Sequence, residues 1–302
     1  MSEFEDKVVV VTGAGGGLGK AHALEFAKRG AKVVVNDLGG SGDGVGASDM
    51  ADVVVEEIRQ AGGVAIANKA SVSSREGAKS IIDDAMAEFG TIDILINNAG
   101  ILRDKSFKKM SLDDWDLVMD VHLNGSAYVT HAAWPIMYEK NYGRIVLTSS
   151  TSGIYGNFGQ ANYGAAKAGI AGFSRVIALE LAKYGCTSNT ISPGALTRMT
   201  IPLRENRGEN VGDSDIESGG PQHIAPICAW LASGASAGIT SEIFHTGRGG
   251  VAIMQQPKII KQFKKRDGLW TMEELDQIVP QLFDAKRAHV AAADESGKPV
   301  EL

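Results

Sequence analysis

Short runs of β-branched residues alternate with amphipathic stretches along most of the 302-residue chain. Each apolar run is followed by a helical pattern, which predicts a parallel sheet covered on both faces: the doubly wound, Rossmann-like α/β fold with about seven strands. The predicted strands are KVVVVT (7–12), KVVVND (32–37), VAIA (64–67), IDILIN (92–97), GRIVLTS (143–149), CTSNTIS (186–192) and ITSEIF (239–244). The predicted helices cover 17–29, 48–61, 74–89, 111–140, 160–184 and 221–233.

Two stretches interrupt this alternation. LGGSGDGVGAS (38–48) is a glycine-rich loop after the second strand. Residues 193–220 are long, charged and rich in glycine. A loop of that length inside a compact domain is usually a lid or a disordered segment, so we expect one of the two here.

The chain changes character near residue 250. We expect one α/β domain over residues 1–250 and a C-terminal extension over residues 251–302. In the extension, Thr271 and Glu274 have the spacing of a capping box, which predicts the start of a short helix. The basic run QQPKIIKQFKKR before it is interpreted as a solvated face.

Composition excludes several classes of partner. The net charge of −6 and the pI of about 5.6 argue against a nucleic-acid surface. No apolar run approaches the ~18 residues of a membrane span, and the six histidines lack the spacing of metal ligands, so no metal is expected. Only Cys186 and Cys228 are present, as in a reducing compartment. The acidic start and the end Val300-Glu301-Leu302, which is not a peroxisomal address, predict a soluble cytoplasmic protein.

A glycine-rich turn follows the first strand. In TGAGGGLG, Gly13, Gly17 and Gly19 form the pattern G-x-x-x-G-x-G. Glycines let the backbone approach a pyrophosphate at a helix N-terminus, although an ordinary tight turn is the alternative. The next strand ends at Asp37, 24 residues after Gly13, where a carboxylate would bind ribose hydroxyls and repel the extra phosphate of NADP. NAD is therefore the predicted cofactor; the alternative for Asp37 is a turn-forming role.

Tyr163 and Lys167 lie four positions apart in a predicted helix and therefore share a face. A free tyrosine has a pKa near ~10, and lowering it to about 7 needs roughly 4 kcal/mol. An ammonium about 4 Å away supplies about that much at an effective dielectric of ~20. The pair thus predicts a phenol that can accept a proton from an alcohol. Ser150 closes the preceding strand, where its hydroxyl would hold the reacting oxygen near the tyrosine.

Together these residues resemble the short-chain dehydrogenase/reductase family. The resemblance covers residues 5 to about 250 and also includes NNAG (97–100) and SPG (192–194). It implies hydride transfer between NAD(P) and an alcohol or carbonyl carbon, with Tyr163 as acid/base, Lys167 on the nicotinamide ribose and Ser150 on the substrate. It implies homodimers or homotetramers formed through the long helices. It further implies cofactor contacts by Leu18, Ser71, Val72, Asn98, Ala195 and Thr197.

A narrower resemblance is to the dehydrogenase part of the peroxisomal multifunctional enzyme type 2, a group also described as 17β-hydroxysteroid dehydrogenases. It implies NAD-dependent oxidation of (3R)-hydroxyacyl-CoA, with a fatty or steroid side-chain acyl group, to 3-ketoacyl-CoA in β-oxidation. Oxidation of a free 17β-hydroxysteroid is an alternative, and a non-catalytic dinucleotide sensor is a remote one. The stretches that carry this resemblance are VVVNDLGG (33–40), NNAGILRDKSF (97–107), VHLNGSAYVTHAAW (121–134) and TSSTSGIYGNFGQANY (148–163).

Some positions depart from the common family pattern. His122 stands where most members carry a catalytic Asn, and it either joins a proton relay or fills space; Asn124 is out of register to replace the Asn. Ser71 replaces the usual Asp, and Thr197 lies one residue closer to the preceding Pro-Gly than is common. The loop arginines that either meet CoA phosphates or are solvated are Arg198, Arg204 and Arg207.

Overall fold

A computed structural model describes residues 3–197, 200–201 and 210–283 of the chain. Within these ranges the strands form one eight-stranded sheet in the order β3-β2-β1-β4-β5-β6-β7-β8. Neighbours from β3 to β7 pair in parallel, and β7 and β8 are antiparallel. The strands are β1 Val8–Thr12, β2 Lys32–Asn36, β3 Val64–Asn68, β4 Ile94–Asn97, β5 Gly143–Thr148, β6 Cys186–Pro193, β7 Ile243–Gly247 and β8 Gly250–Ile253.

The pleat of the central strands divides their side chains between two hydrophobic cores. Val9 and Val11 face one core, whereas Val10 between them faces the other. Ile94 and Leu95 alternate in the same way on β4. Because successive side chains point to opposite faces and all of these are fully buried, the sheet is covered on both sides. The predicted doubly wound α/β fold is confirmed.

Helices cover both faces of the sheet. The α-helices are α1 Gly17–Lys28, α2 Met50–Gln60, α3 Arg75–Phe89, α4 Leu112–Met119, α5 Gly125–Glu139, α6 Thr151–Tyr155, α7 Ala161–Leu181, α8 Asp213–Gly219, α9 Ala225–Ala232 and α10 Met272–Ile278. Phe26 of α1 and Ile58 of α2 pack into the first core, and Ile81 of α3 and Ile170 of α7 into the second.

The structure differs from the predicted elements at several places. The helix predicted over 111–140 contains a π-helical turn, Asp120–Asn124, between α4 and α5. Helix α8 lies inside the segment predicted to be a lid or disordered. The last predicted strand, 239–244, begins only at Ile243, because Ser241 has a φ of 70° that breaks the extended backbone before it.

The eighth strand was not predicted, and it arises from a tight hairpin. Arg248 and Gly249 join β7 to β8, and their φ angles are 49° and 78°. Two successive positive φ angles match the right-handed twist of antiparallel strands, which is why such turns close two-residue hairpins. The hairpin extends the sheet beyond the predicted seven strands.

The chain divides into two compact units, residues 1–255 and residues 256–302. In the second unit the predicted capping box is confirmed: Thr271 Oγ1 accepts from the Glu274 N–H at 3.2 Å, and the Glu274 carboxylate accepts from the Thr271 N–H at 2.8 Å. Lys265 pairs with Glu274. Val300-Glu301-Leu302 lie outside the described residues, and no helix in the described ranges is long and apolar enough to span a bilayer.

His22 on α1 predicts a pH-dependent loss of stability. It is fully buried, neither ring nitrogen has a hydrogen-bond partner among the described residues, and burial lowers its pKa from 6.5 to about 4. Between those pH values the unfolded chain binds a proton that the folded chain does not, so stability falls as the pH falls. We expect His22 to account for a loss of about 2–3 kcal/mol in unfolding free energy between pH 7 and pH 4.5.

Urea unfolding of wild type and His22→Leu across this pH range measures the effect. The stability difference between the two proteins should shift in favour of the variant by about that amount as the pH falls. His223→Gln, which removes an exposed histidine, serves as the control. Parallel curves for wild type and His22→Leu would show that His22 does not titrate in this way.

Candidate active site

A cavity of about 450 Å³ lies at the carboxyl ends of the parallel strands. Its walls include residues from the segments that follow β1, β2, β3 and β4, and it spans the point where the strand order reverses between β1 and β4. Ligands of doubly wound sheets bind at such switch points. The predicted site residues that line this cavity are Gly13, Gly17, Leu18, Asp37, Ser71, Val72, Asn98, His122, Tyr163, Lys167, Ala195 and Thr197.

Two predicted site residues do not form part of the wall. Gly19 packs beneath the glycine-rich turn, where a Cβ would come within 2.0 Å of the Gly13 carbonyl oxygen. Ser150 caps α6, and its Oγ accepts from the Ser152 N–H at 3.1 Å. Ser150 also hydrogen-bonds the Tyr163 side chain, so it reaches the site through that residue.

The glycine-rich turn is held open by the segment after β4. Gly13 has a φ of 64°, and a Cβ there would lie 2.7 Å from Ala99 Cα. The Asn98 side-chain amide donates to the carbonyls of Thr12 at 3.0 Å and Gly13 at 3.1 Å. The turn leads directly into α1, whose first residue, Gly17, faces the cavity. Bare backbone at a helix N-terminus is the environment that fits a pyrophosphate.

Asp37 ties this turn to the loop after β2. One carboxylate oxygen accepts from the Gly15 N–H at 2.7 Å, and the other accepts from the Gly39 N–H at 2.7 Å. The second bond is the local turn-forming contact that the sequence left open as an alternative. Asp37 also lines the cavity, so it combines a structural role with a position from which it can meet a ligand.

The glycine-rich loop 38–48 forms one wall of the cavity, which the sequence did not predict. Its Gly42 carbonyl accepts from the Leu102 N–H at 2.9 Å, and Arg103 Nε donates to the Asp43 carbonyl at 2.9 Å. The loop is therefore fixed to the segment after β4. The available signal was its glycine content directly after Asp37, because small residues allow backbone to lie close to a ligand.

Lys167 lies beneath the Tyr163 ring in the floor of the cavity. The lysine is 3% exposed, its Nζ donates to the Thr148 carbonyl at 2.6 Å, and Nζ lies 5.5 Å from the ring centroid. Burial lowers the pKa of Lys167 from 10.5 to about 7. Burial also raises the pKa of Tyr163 from 10 to about 12, opposed by the Ser150 hydrogen bond and assisted by the charge of Asp104.

The predicted lowering of the Tyr163 pKa to about 7 is wrong for the protein's own side chains. A full charge at 5.5 Å, the distance from Lys167 Nζ to the ring centroid, would contribute about 3 kcal/mol at an effective dielectric of ~20. Lys167, with a pKa of about 7, carries only part of that charge at neutral pH. Desolvation of the phenolate therefore exceeds the attraction, and the phenol stays protonated.

His122 lies on the π-helical turn and is fully buried. Its Nε2 lies 2.8 Å from the Ile101 carbonyl oxygen and 3.0 Å from the Ile101 nitrogen, and its ring contacts that of Tyr163 edge to face with centroids 5.1 Å apart. Burial, and then the charge of Lys167, hold the pKa of His122 well below 6.5, so the ring is neutral. Asn124 bonds Asp120 instead and does not substitute for the ring.

Three residues that position Tyr163 were missed in the sequence. Asn162 Oδ1 accepts from the Tyr163 N–H at 2.7 Å, and its amide donates to the Arg103 carbonyl at 3.3 Å. Gln160 Nε2 donates to Asp104 at 2.7 Å. The signal was the polar pair in GQANY beside the tyrosine, but its partners lie more than fifty residues away in the chain.

Thr197 is the last predicted site residue before a gap in the described chain. It lines the cavity, and its N–H donates to Thr200 Oγ1 at 2.8 Å. The three loop arginines considered for CoA phosphates lie outside the described residues: Arg198, Arg204 and Arg207.

Known proteins are similar to this chain in sequence and in fold. Residues 7–208 match a family model described as short chain dehydrogenase. The chain is 50% identical to the mouse (Mus musculus) peroxisomal multifunctional enzyme type 2 over 250 residues, which cover 82% of this chain and 32% of that enzyme. It is 36% identical to a hydroxyacyl-CoA dehydrogenase of Mycobacterium tuberculosis over 290 residues, which cover 93% of this chain and 90% of that protein. The crystal structure of a short chain dehydrogenase from Mycobacterium avium is similar with a TM-score of 0.80 and 36% identity, covering 93% of this chain and 95% of that chain.

The substitution Gly100→Ala tests the position of the His122 ring. A Cβ at Gly100 would lie 2.3 Å from His122 Cε1, so Gly100→Ala forces the ring to move. We expect this substitution to lower the unfolding free energy by about 1–3 kcal/mol. In a His122→Asn background the smaller side chain leaves room, and the same substitution should cost less than about 0.5 kcal/mol.

Thermal or urea unfolding of the four proteins in this cycle measures the coupling. Gly234→Ala is the matched control, because a Cβ there meets no atom within 4 Å. An equal cost of Gly100→Ala in both backgrounds would mean that His122 does not occupy the space beside Gly100.

Proposed function

Because the chain belongs to the short-chain dehydrogenase family, we propose that it oxidises (3R)-hydroxyacyl-CoA to 3-ketoacyl-CoA with NAD. It is an oxidoreductase that acts on a CH–OH group, and it is related to the dehydrogenase part of the peroxisomal multifunctional enzymes. The observation that carries the proposal is that Tyr163 and Lys167 meet at one cavity and that Ser150 is hydrogen-bonded to the tyrosine. The acyl-CoA substrate is supported by the similarity to a hydroxyacyl-CoA dehydrogenase over nearly the whole length of both chains.

Tyr163 is the proposed acid/base. In the protein alone its pKa is about 12, so the phenol is protonated at neutral pH and donates to the substrate oxygen. During oxidation the phenol first loses its own proton to solvent, and the phenolate Oη then takes the proton of the 3-hydroxyl as the C3 hydride leaves. When bound, NAD supplies the hydride acceptor and a positive ring charge that favours the phenolate. Lys167, with a pKa of about 7, exchanges a proton near neutral pH and adds its own charge beneath the ring.

Ser150 and His122 orient this group in different ways. The hydrogen bond from Ser150 favours the phenolate, and the same hydroxyl is proposed to hold the substrate oxygen. His122 is proposed as a neutral wedge and not as a proton carrier, because its Nε2 is occupied by the Ile101 backbone. Its ring edge supports the Tyr163 ring from the side and holds the segment that lines the cavity.

NAD is the proposed cofactor. The adenosine would lie against Asp37, Ser71 and Val72, the pyrophosphate against the turn that begins at Gly13, and the nicotinamide toward Lys167. The Asp37 carboxylate would repel a phosphate on the adjacent ribose, and Leu38, which follows it, provides no compensating charge. The remaining cofactor contacts are proposed for Gly17, Leu18, Asn98, Ala195 and Thr197, whereas Gly19 supports the turn from beneath.

A homo-oligomer is proposed from the long helices. Helices α3, α5 and α7 border an apolar groove of about 1120 Å³ whose walls include Trp134, Phe173 and Val176. Val176 is exposed, and a large apolar surface of this kind is usually covered in an assembly. A homodimer or homotetramer would cover it.

A substrate comparison tests the proposed reaction. We expect a (3R)-3-hydroxyacyl-CoA to reduce NAD with a kcat/KM at least about 100-fold above that of a free 17β-hydroxysteroid, because an enzyme favours the substrate whose full length it binds in the transition state. The (3S) substrate serves as the stereochemical control. Initial rates of NADH formation measure all three. Reduction of NAD by the steroid alone would overturn the proposal.

Tyr163→Phe tests the acid/base. Removal of general acid–base catalysis should lower kcat by about 10²–10⁴-fold and leave the NAD Kd nearly unchanged. Tyr142→Phe, which lies just before β5 and does not line the cavity, is the matched control and should keep its rate. Substantial turnover by Tyr163→Phe would show that the tyrosine is not the acid/base. If wild type binds NAD but turns over no substrate, a dinucleotide sensor would be favoured.

Asp37 tests the choice of dinucleotide. We expect wild type to prefer NAD over NADP by about 100-fold in kcat/KM, because a carboxylate about 5 Å from a phosphate costs about 3 kcal/mol. Asp37→Asn removes the charge and should reduce that preference by about tenfold or more. Asp43→Asn, on the same loop but exposed, is the control. Equal use of both dinucleotides by wild type would contradict the assignment.

A further inference from the structure

The segment after β4 leaves the cavity wall and carries exposed cationic and aromatic side chains. Ile101 and Leu102 line the cavity. The Lys105 N–H then donates to the Gly159 carbonyl at 2.9 Å, and Lys105 forms a bridge with Gln160, three residues before Tyr163. A short 3-10 helix, Phe107–Lys109, follows directly. The segment thus connects the cavity wall to the surface beside it.

Two phenylalanines on this surface are exposed to solvent. Phe107 is 71% exposed and Phe158 is 91% exposed. Phe107 is fixed edge to face against Trp115, with ring centroids 6.3 Å apart. Phenylalanine is usually buried, and these two exposed rings each lie two residues along the chain from the bridge between Lys105 and Gln160, as in a ligand surface.

Some cations of this surface form ion pairs and others do not. Asp114 accepts from Arg103 at 2.9 Å and from Lys105 at 2.8 Å, and this ion triad anchors the segment. Lys108 and Lys109 are exposed, and neither has an ion-pair partner within 4.0 Å in the portion of the chain that is described. The nearby carboxylates are Asp104, which bonds Gln160, and Asp113 and Asp116 on α4.

We propose that Phe107, Lys108 and Lys109 form a subsite for the adenine nucleotide end of CoA, with the ring against the adenine and the two ammonium groups on the phosphates. This inference rests on the proposed acyl-CoA substrate and adds where the carrier is held. Lys108 and Lys109 supply two ammonium groups without an ion-pair partner among the described residues, next to an exposed aromatic ring, and these groups match an anionic nucleotide. Lysine binds phosphate as a flexible point charge and needs no fixed geometry.

The reach of the CoA arm is compatible with this position. Lys108 lies three residues beyond Lys105, which is at most about 11 Å along the backbone. A β-bridge spans about 5 Å, and the three helical residues from Gln160 to Tyr163 add about 4.5 Å. The path from Tyr163 to Lys108 is therefore at most about 20 Å. The pantetheine arm, with about thirteen bonds between sulfur and phosphorus, extends about 16 Å, and a lysine side chain covers the remainder.

The double variant Lys108→Gln/Lys109→Gln tests the subsite against two forms of the same substrate. One is a 3-hydroxyacyl-CoA, and the other is the same acyl group on N-acetylcysteamine, which has the thioester and the first amide of CoA but no phosphate. We expect the variant to raise KM for the CoA substrate about tenfold with kcat unchanged, and to change KM for the phosphate-free thioester less than about twofold. Added salt should raise the wild-type KM for the CoA substrate more than that of the variant.

The matched control is Lys28→Gln/Lys183→Gln. These two lysines precede β2 and β6, at the opposite edge of the sheet from the cavity, and their removal changes the net charge equally. A 3′-dephospho-CoA thioester, tested with the wild-type enzyme, separates the two phosphate positions. If its KM is as high as the KM of the double variant for the CoA substrate, the lysines bind the 3′-phosphate. If its KM equals the wild-type KM for the CoA substrate, the lysines bind the diphosphate. Either result supports the subsite.

Two results would overturn it. An equal change of KM for the CoA and the phosphate-free thioesters would show that the lysines act on the fold or on the acyl group. An unchanged KM for the CoA substrate would show that the phosphates lie elsewhere. Failure of wild type to turn over any 3-hydroxyacyl-CoA would instead reject the proposed function, and the two failures are therefore distinguishable.

Discussion

The junction between β1 and β4 is the constraint on which the site depends. At this junction Thr12 Oγ1 accepts from the backbone N–H groups of Asn98 and Ala99, while the Asn98 amide donates back to the carbonyls that begin the glycine-rich turn. Because the chain proceeds outward in opposite directions from these two strands, the crevice above them has no connecting loop. A small number of hydrogen bonds thus aligns the end of one strand, the start of α1 and the segment that carries His122's partner.

Burial dominates the electrostatics of the cavity floor. The tyrosine, lysine and histidine there all move toward their neutral forms, although the lysine and the phenol lie close enough to attract each other if charged. Such a floor has little fixed charge of its own, so the protonation of each group depends strongly on what enters the crevice. The polar supports of Tyr163, from Asn162 and from the Asp104–Gln160 pair, hold the geometry while its charge changes.

Much of the fold and part of the site could be predicted from local sequence. Continuous valines in β1 and β2 fix buried strands without reference to the rest of the chain, and the glycines after β1 and the pair Tyr163–Lys167 carry their spacing with them. The hairpin at Arg248 and the π-helical turn were missed because each depends on backbone angles that side-chain periodicity does not encode. The contact between Asp104 and Gln160 forms only on folding, so their separate positions in the sequence do not reveal it. The pKa of Tyr163 depends mainly on burial, and a prediction from the charge of Lys167 alone leaves burial out.

The π-helical turn has a consequence for how this site can change over time. One additional residue in a helix rotates everything after it by about 100° relative to everything before it. Substituting His122 does not change the rotation of the helix. Deleting a residue from 120–124 would instead turn the His122 ring away from the phenol and, at the same time, turn the buried face of α5 outward. The mutational step that creates or removes this support is therefore an insertion or a deletion, and lineages that differ by it are separated by a gap in their alignment and not by a gradual series of substitutions.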